Sequence, residues 1–357
     1  ACMLHEFTKM DDDAAEILSN SYPSEGEEGL CRPHLATLSD ASAESFSKCK
    51  IWEFSGLTEL RDSPEFLGLI SNECLDIYFR KLTFIGDQAA EIISQRGTQI
   101  FLDGRFTLSD AAAKSLSKCK DSVDLLGLTQ LTDSPGHLAL AEILDERTHE
   151  FGLEEKYGEW VGPKTGINCG LWGIIQDGIY LNSLVHVTDA VMEILSGKKV
   201  NLCLPSLTSI SDRAAESLSN FKGEVLFLNG LTDLSDEAAA SLAKCKVTFL
   251  YLDGLTCLSE AAADNLSAFK GSFLELNGLK TLSAAAAKSF SANDKCELSL
   301  KGLEFLSIEA KESLKKRLNL EFPANDVIVT DKVQDSNLRP ILSVMKSDGI
   351  RKAVGNL

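Results

Sequence analysis

Cysteine and histidine are the residue types in this chain that could supply nucleophiles or metal ligands. The chain holds ten cysteines and five histidines. No two cysteines have C-x-x-C spacing, no cysteine has a histidine at zinc-site spacing, and no H-E-x-x-H sequence occurs. Cys49, Cys119 and Cys245 recur within the phrase Ser/Ala-Lys-Cys-Lys, so they belong to a repeated pattern. This pattern predicts small buried thiols in a reducing compartment, with disulfides between neighbouring repeats as the alternative. It predicts no metal site and no cofactor.

The stretch 145–178 carries other side chains that could do chemistry. Residues 158–165 partly resemble a phosphate-binding loop, but the second glycine does not directly precede the lysine, and no apolar strand leads into it. Cys169 and His149 could form a nucleophile–base pair, but no Asn or Asp partner or strand-to-helix turn supports them. An enzyme or cofactor site here is therefore the alternative hypothesis. We favour an irregular segment or insertion in a protein that is not an enzyme, and such a loop is a secondary candidate for binding.

Charge and hydropathy exclude two classes of partner. The net charge of −18 argues against a nucleic-acid surface, which needs clustered Lys and Arg to neutralise phosphates. No apolar run approaches the roughly 18 residues of a membrane-spanning helix, so no span is predicted. The first seven residues lack the basic start and apolar stretch of a signal peptide. We therefore expect a cytoplasmic protein, with secretion after removal of a signal as the alternative.

The chain is built from tandem repeats. Four segments align without gaps and share the pattern x-Leu-x-Leu-x-Gly-Leu-x-x-Leu-Ser. They begin at Val225, Phe249, Phe273 and Glu297. Their glycines are spaced by 24 residues: Gly230, Gly254, Gly278 and Gly302. The same register continues towards the N-terminus with spacings of 22 to 25. One unit is too small to bury its own leucines, so the repeats must stack to form a continuous core.

Each unit predicts a strand, a turn and a helix. The x-Leu-x-Leu-x stretch alternates with period two, as a half-buried strand does. The glycine permits a tight turn that a residue with a Cβ would resist. Ser235 is a helix N-cap, and Asp236 and Glu237 follow in the first turn, where the helix dipole favours negative charge. The alanines that come next favour a helix that approaches the strand layer closely.

These repeats resemble the leucine-rich-repeat family, in particular ribonuclease-inhibitor-like forms. The core Gly-Leu-Thr-x-Leu-Ser-Asp-x-Ala-Ala-x-x-Leu is similar to repeats of bacteria such as planctomycetes. It departs from the commonest family pattern, because Gly stands where an Asn or Cys usually forms a ladder beneath the strands. The resemblance implies an α/β solenoid shaped as a horseshoe, with a parallel sheet on the concave face and helices on the convex face. It also implies binding of a ligand, usually a protein.

The resemblance covers roughly residues 1–322, with a weak stretch in the middle. We predict repeats at 1–144, an irregular segment or insertion at 145–178, further repeats at 179–322 and a C-terminal cap or tail at 323–357.

The strands would leave alternate side chains free on the concave face. An aromatic strip is predicted at Tyr180, Phe227 and Tyr251. A row of Asn and Asp residues lies beside it: Asn182, Asn229, Asp253 and Asn277. Exposed aromatic residues beside polar groups are typical of binding hot spots. Packing against neighbouring strands is the structural alternative. We therefore expect a non-catalytic scaffold that binds a protein, a peptide or possibly a glycan on this face.

Overall fold

The structure is a computed structural model, and it describes only part of the chain. The described residues are 2–3, 9–22, 30–31, 35–49, 51–54, 56–73, 78–97, 100–120, 123–144, 178–293, 295–317, 320–321 and 328–330. The predicted segment 145–178 and the predicted tail lie almost entirely outside these ranges, so the predicted domain boundaries stay predictions.

Twelve helices recur along the described chain. Their bounds are α1 Asp12–Ser21, α2 Asp40–Ser47, α3 Pro64–Ile70, α4 Asp87–Gln95, α5 Asp110–Leu116, α6 Pro135–Ile143, α7 Asp189–Ser196, α8 Asp212–Leu218, α9 Asp236–Leu242, α10 Glu260–Ser267, α11 Ala284–Ser291 and α12 Ile308–Leu314. Each helix packs against the helix of the neighbouring repeat. The predicted strand–turn–helix unit is confirmed.

Short strands alternate with the helices. Their bounds are β1 Cys2–Met3, β2 Leu30–Cys31, β3 Ile51–Glu53, β4 Glu59–Leu60, β5 Tyr78–Phe79, β6 Phe84–Ile85, β7 Ile100–Leu102, β8 Val123–Asp124, β9 Gln130–Leu131, β10 Gly178–Tyr180, β11 His186–Val187, β12 Asn201–Cys203, β13 Val225–Phe227, β14 Phe249–Tyr251, β15 Phe273–Glu275, β16 Thr281–Leu282, β17 Glu297–Ser299, β18 Phe305–Ser307, β19 Leu320–Glu321 and β20 Ile328–Thr330.

All described strand pairs are parallel, and they form two columns. The first column contains a seven-stranded sheet in the order β10-β12-β13-β14-β15-β17-β19 and two three-stranded sheets, β5-β7-β8 and β1-β2-β3. The second column lies after the turn and contains the pairs β4-β6 and β9-β11 and the sheet β16-β18-β20. The chain is thus an α/β solenoid with a parallel sheet on one side and helices on the other, as predicted.

The stack continues across the stretch that breaks the repeat. Strand β9 pairs with β11, and helix α6 packs against α7, although residues 145–177 separate the two repeats in sequence. The amide of Ser183 also donates to the carbonyl oxygen of Leu126 at 3.0 Å. The repeats on the two sides are therefore direct neighbours in the solenoid.

The leucines of each repeat form the core between sheet and helices. Leu226, Leu228 and Leu231 have no exposed surface, and neither does Ala239 on the facing helix. Burying one leucine side chain contributes roughly 1.5–3 kcal/mol, and that surface is covered only when neighbouring repeats are in place. The stability of each repeat therefore depends on the next.

The turn glycines are required by the close approach of the preceding repeat. Among the described residues, only Gly97 has a positive φ, of 62°. A Cβ added to Gly230 would lie 2.6 Å from the carbonyl oxygen of Pro205 and 2.7 Å from that of Leu207. Both oxygens belong to the backbone of the preceding repeat and cannot move aside alone. The need for glycine arises from contact between repeats, and left-handed backbone geometry does not contribute.

The N-cap serines bond the repeats to one another. The Ser235 hydroxyl accepts the amide hydrogen of Ala238 at 2.9 Å, as predicted for a cap. It also donates to the carboxylate of Asp212 in the preceding repeat. The same pair of bonds recurs at Ser39, Ser109, Ser211 and Ser259. In these repeats, the aspartate that follows one helix cap therefore anchors the cap serine of the next repeat as well as complementing the helix dipole.

Candidate functional site

The alternation of each strand assigns its side chains to two faces. In β13 and the residues after it, Leu226 and Leu228 point into the core. Val225 and Phe227 belong to a second apolar cluster, separate from the core. We call the side of the seven-stranded sheet that carries this cluster the distal face; it corresponds to the predicted concave face. Parallel register places equivalent side chains side by side, as with Phe227, Tyr251 and Glu275.

The predicted aromatic strip is present, but it is not exposed. Phe227 is 2% exposed and Tyr251 is 3% exposed, so the expectation that they stand free in solvent is wrong. Their rings stack face to face with centroids 4.1 Å apart, and the Tyr251 ring lies 5.8 Å from that of Phe273. Strands of a parallel sheet are about 4.8 Å apart, so flat rings at one register cover each other. Tyr180 and Phe249 are half-buried and pack against the same cluster.

The predicted row of Asn and Asp residues forms a hydrogen-bonded ladder between repeats. The Asn229 side-chain oxygen accepts the amide hydrogen of Asp253 at 3.3 Å. Asp253 Oδ1 accepts the amide hydrogen of Asn277, and Asn277 Oδ1 accepts that of Lys301, both at 2.8 Å. The expectation that these groups are free for a ligand is therefore wrong for the atoms that serve the stack. The ladder lies one residue before the glycine, and its signal in the sequence is the recurrence of Asn or Asp every 24 residues.

Asn182 occupies the ladder position of its own repeat, but the ladder is interrupted there. Its side-chain oxygen is buried and has no hydrogen-bond partner among the residues that the structure describes. In the register of the sheet, Tyr180 pairs with Cys203, so the residue opposite Asn182 is Pro205. Proline has no backbone N–H to donate. The ladder is therefore interrupted at this step.

A pair of carboxyl groups lies beside the aromatic cluster. Asp253 and Glu275 are hydrogen-bonded to each other through their side chains. Burial raises the pKa of Asp253, while burial and the charge of Asp253 raise the pKa of Glu275 to about 7. Asn277 donates its side-chain amide to Glu275. We call Asp253 and Glu275 the carboxyl pair.

The hydroxyl group of Tyr251 belongs to the same cluster. It is buried and makes no hydrogen bond within the described part of the chain. Burial, followed by the charges of Glu275 and Asp253, raises the pKa of Tyr251 above its usual range. Sequence reasoning identified Tyr251 and Asp253 but missed Glu275 as a member of the same cluster. The available signal was its register, since Glu275 occupies in the next repeat the place that Tyr251 occupies in its own.

A second group of acids lies on the three-stranded sheet β5-β7-β8. Asp124 is 4% exposed, and burial raises its pKa to about 8, with a further contribution from the charge of Asp103. Burial also raises the pKa of Asp103, whereas the guanidinium of Arg80 opposes this shift. Arg80 lies 4.6 Å above the centroid of the Tyr78 ring. This group, which sequence reasoning did not select, is a second set of buried acidic side chains in the sheet layer.

The remaining candidates from the sequence do not form a site among the described residues. Cys169 and His149 lie outside them. Cys203, Cys245 and Cys296 are buried free thiols, and Cys257 is an exposed free thiol. Cys49 is buried and Cys119 is half-buried. Within the described ranges, no group of three or more His, Cys, Asp or Glu side chains could hold a metal ion. Nor does any helix of the described chain have the length and apolar character needed to cross a membrane.

Comparisons with known proteins return leucine-rich-repeat structures at low similarity. No protein-family model and no curated protein matches the chain. An internalin of Listeria monocytogenes is 12% identical, with a TM-score of 0.32 over 94% of this chain and 93% of its own. A leucine-rich-repeat protein of Leptospira interrogans is 14% identical, with a TM-score of 0.33 over 91% and 88%.

A third match is the leucine-rich-repeat ectodomain of a plant membrane receptor kinase from Arabidopsis thaliana, in complex with CASPARIAN STRIP INTEGRITY FACTOR 2. It is 14% identical, with a TM-score of 0.35 over 86% of this chain and 39% of its own. Such low TM-scores carry no argument about function, so the solenoid assignment rests on the strand register of this chain. The closer likeness to planctomycete-type repeats stays a prediction.

Proposed function

We propose that this chain is a non-catalytic recognition scaffold that binds a protein or peptide partner on the distal face of its sheet. The observation that carries the proposal is the second apolar cluster on that face. Side chains that served only the solenoid would be polar there. Instead, aromatic residues lie beside a carboxyl pair and two buried polar atoms, on Tyr251 and Asn182, that have no hydrogen-bond partner in the described ranges. Apolar surface next to a few unsatisfied polar groups is the composition of a recognition site.

The consensus residues of the repeat form contacts between neighbouring repeats. A ligand must therefore bind through other side chains. Cap serines, ladder amides and turn glycines are engaged between repeats. The half-buried rings of Phe249 and Phe273 are not part of that framework. Their centroids are 6.3 Å apart at the start of their strands, at the edge of the cluster. They therefore replace Phe227 and Tyr251 as the aromatic residues best placed to contact a partner.

The proposal is tested by selecting peptides from a random display library on the immobilised full chain. Affinities of the selected peptides are then measured for wild type and for the double variant Phe249→Ser/Phe273→Ser. We expect the double variant to weaken binding by at least about 10-fold, which corresponds to about 1.4 kcal/mol for two aromatic contacts.

The matched control is the double variant Phe84→Ser/Ile308→Ser, which removes two apolar side chains that are each 52% exposed. Neither side chain belongs to the second apolar cluster on the distal face. Thermal unfolding is recorded for every variant, so that lost binding is compared only among folded proteins. The proposal fails if no peptide is enriched, or if the Phe249/Phe273 variant binds the selected peptides as tightly as the control.

A further inference from the structure

The carboxyl pair is held together by the surrounding ladder. Asp253 Oδ1 accepts the amide hydrogen of Asn277 at 2.8 Å, and its Oδ2 lies 3.4 Å from the side-chain nitrogen of Asn229. Glu275 accepts from the Asn277 side chain. Two carboxyl groups in contact cannot both stay ionised without a counter-charge, so here they share a proton.

Lys301 is the cation whose charge acts on both members of the carboxyl pair, and it is engaged elsewhere. Lys301 extends from the following strand, and its Nζ atom forms an ion pair with Glu321 at 2.7 Å. Its positive charge lowers the pKa of Glu275, but within the described part of the chain no ion pair joins Lys301 to either member of the carboxyl pair. Among the described residues, the carboxyl pair is therefore not neutralised by an ion pair with Lys301.

The Tyr251 hydroxyl provides an independent observation at the same place. Tyr251 is 3% exposed, and among the described residues its hydroxyl oxygen has no hydrogen-bond partner. A buried hydroxyl without a partner is unfavourable, and a bound donor would supply the missing hydrogen bond. Tyr251 lies opposite Glu275 in the sheet and two residues before Asp253 on the same face. The charges of Glu275 and Asp253 both raise the pKa of Tyr251, so the three side chains lie close to one another on this face, and the Tyr251 ring lies 5.8 Å from that of Phe273.

We propose that Tyr251, Asp253 and Glu275 form a subsite for a primary ammonium group, namely a lysine side chain of the bound partner. This inference rests on the proposed function and specifies its ligand. An ammonium group has three donors and no acceptor, which matches three acceptor groups, and the aromatic rings suit the aliphatic stem of lysine. The ammonium group takes the place of the proton shared by the carboxyl pair, and that proton is released to solvent on binding.

Binding is consequently linked to pH. The titratable and charged groups around Glu275 are Asp253 and Tyr251 on one side and Lys301 and Glu321 on the other. Because the pKa of Glu275 is about 7, its proton competes with the ammonium group below that value. We expect the affinity to fall by about 10-fold as the pH is lowered from 8 to 6. A ligand that bound the protonated carboxyl pair would instead bind more tightly at pH 6.

The test uses the full chain with 13C-labelled tyrosine rings and n-pentylammonium as the probe. The chain has five tyrosines, and the Tyr251 resonance is assigned by its loss in Tyr251→Phe. Pentylammonium at millimolar concentrations is expected to shift that resonance saturably. Pentanol, which has the same apolar stem and no charge, should not produce this shift.

Two variants, each of which replaces one glutamate by uncharged glutamine, separate the subsite from general attraction to an acidic protein. Glu275→Gln should weaken pentylammonium binding by at least about 10-fold. Glu237→Gln changes the net charge equally at an exposed position of α9 and should leave binding unchanged. Asp253→Asn is the second test, since Asn already stands at the equivalent positions 229 and 277 and preserves the ladder.

The inference is overturned if the Tyr251 resonance does not respond, if pentanol shifts it equally, or if Glu275→Gln and Asp253→Asn bind as wild type does. This outcome is distinguishable from failure of the proposed function. Peptides that depend on Phe249 and Phe273 would then still bind, and only the ammonium specificity would be withdrawn.

Discussion

The interrupted rung at Asn182 gives a quantitative test of the ladder. In the variant Pro205→Ala, the backbone N–H that proline lacks is restored opposite the unpaired oxygen of Asn182. At the equivalent step, the Asn229 oxygen accepts the amide hydrogen of Asp253 at 3.3 Å. We expect the restored amide to form the same bond.

The magnitude follows from two opposing terms. A formed hydrogen bond contributes about 1 kcal/mol net, and pairing a buried acceptor removes a cost of about 1–3 kcal/mol. Replacing proline raises the conformational entropy of the unfolded chain, which lowers the free energy of unfolding by about 0.4–1 kcal/mol. A double-mutant cycle between Asn182→Ala and Pro205→Ala cancels the proline term. We expect Asn182→Ala to be nearly neutral in wild type and to cost about 1–2 kcal/mol in the Pro205→Ala background.

The assay is urea unfolding, with the free energy of unfolding extrapolated to water and the slope compared among variants. Asn229→Ala is the matched control, because it removes an occupied rung and should cost about 1–2 kcal/mol in wild type. A coupling energy near zero would refute the ladder, as would an Asn182→Ala cost equal to that of Asn229→Ala.

Two further predictions concern the stack and the buried acids. Gly254→Ala forces a Cβ against the backbone oxygens of Asn229 and Leu231 and should destabilise the chain by more than about 2 kcal/mol, whereas Gly68→Ala meets only ordinary contacts and should be neutral or stabilising in urea melts. Burial raises the pKa of Asp124 to about 8, so its contribution to stability is present below pH 4 and is lost as pH rises through 8. The free energy of unfolding from urea melts at pH 5, 7 and 9 should therefore favour Asp124→Asn increasingly over wild type, by about 1.4 kcal/mol for each pH unit up to about pH 8, and the difference should level off above it. A difference that stays constant between pH 5 and pH 7 would contradict the burial of this carboxyl group.

The architecture was predictable because it depends on periodicity. A two-residue alternation inside a 24-residue repeat defines which leucines face the core and which residues share a column. The cap at Ser235 follows from local chemistry alone. The additional bond from Ser235 to Asp212 was not foreseen, because it joins residues of different repeats whose distance depends on how the repeats stack.

The site was only partly predictable. Alternation places Phe227 and Tyr251 on the correct face, but whether they are exposed depends on ring stacking at 4.1 Å between strands. The same limit applies to Asn229, since an amide on this face can bind a ligand or the next repeat. Recurrence of Asn or Asp every 24 residues favoured the second role. That the Tyr251 hydroxyl lacks a hydrogen-bond partner among the described residues could be recognised only from the three-dimensional structure.

The crystal structure of the full chain bound to a peptide selected on it tests the central claim most directly. We predict that the peptide lies along the distal face, contacts Phe249 and Phe273, and places a lysine ammonium group between Tyr251, Asp253 and Glu275. A peptide seated on the helices, with the distal face empty, would contradict the account.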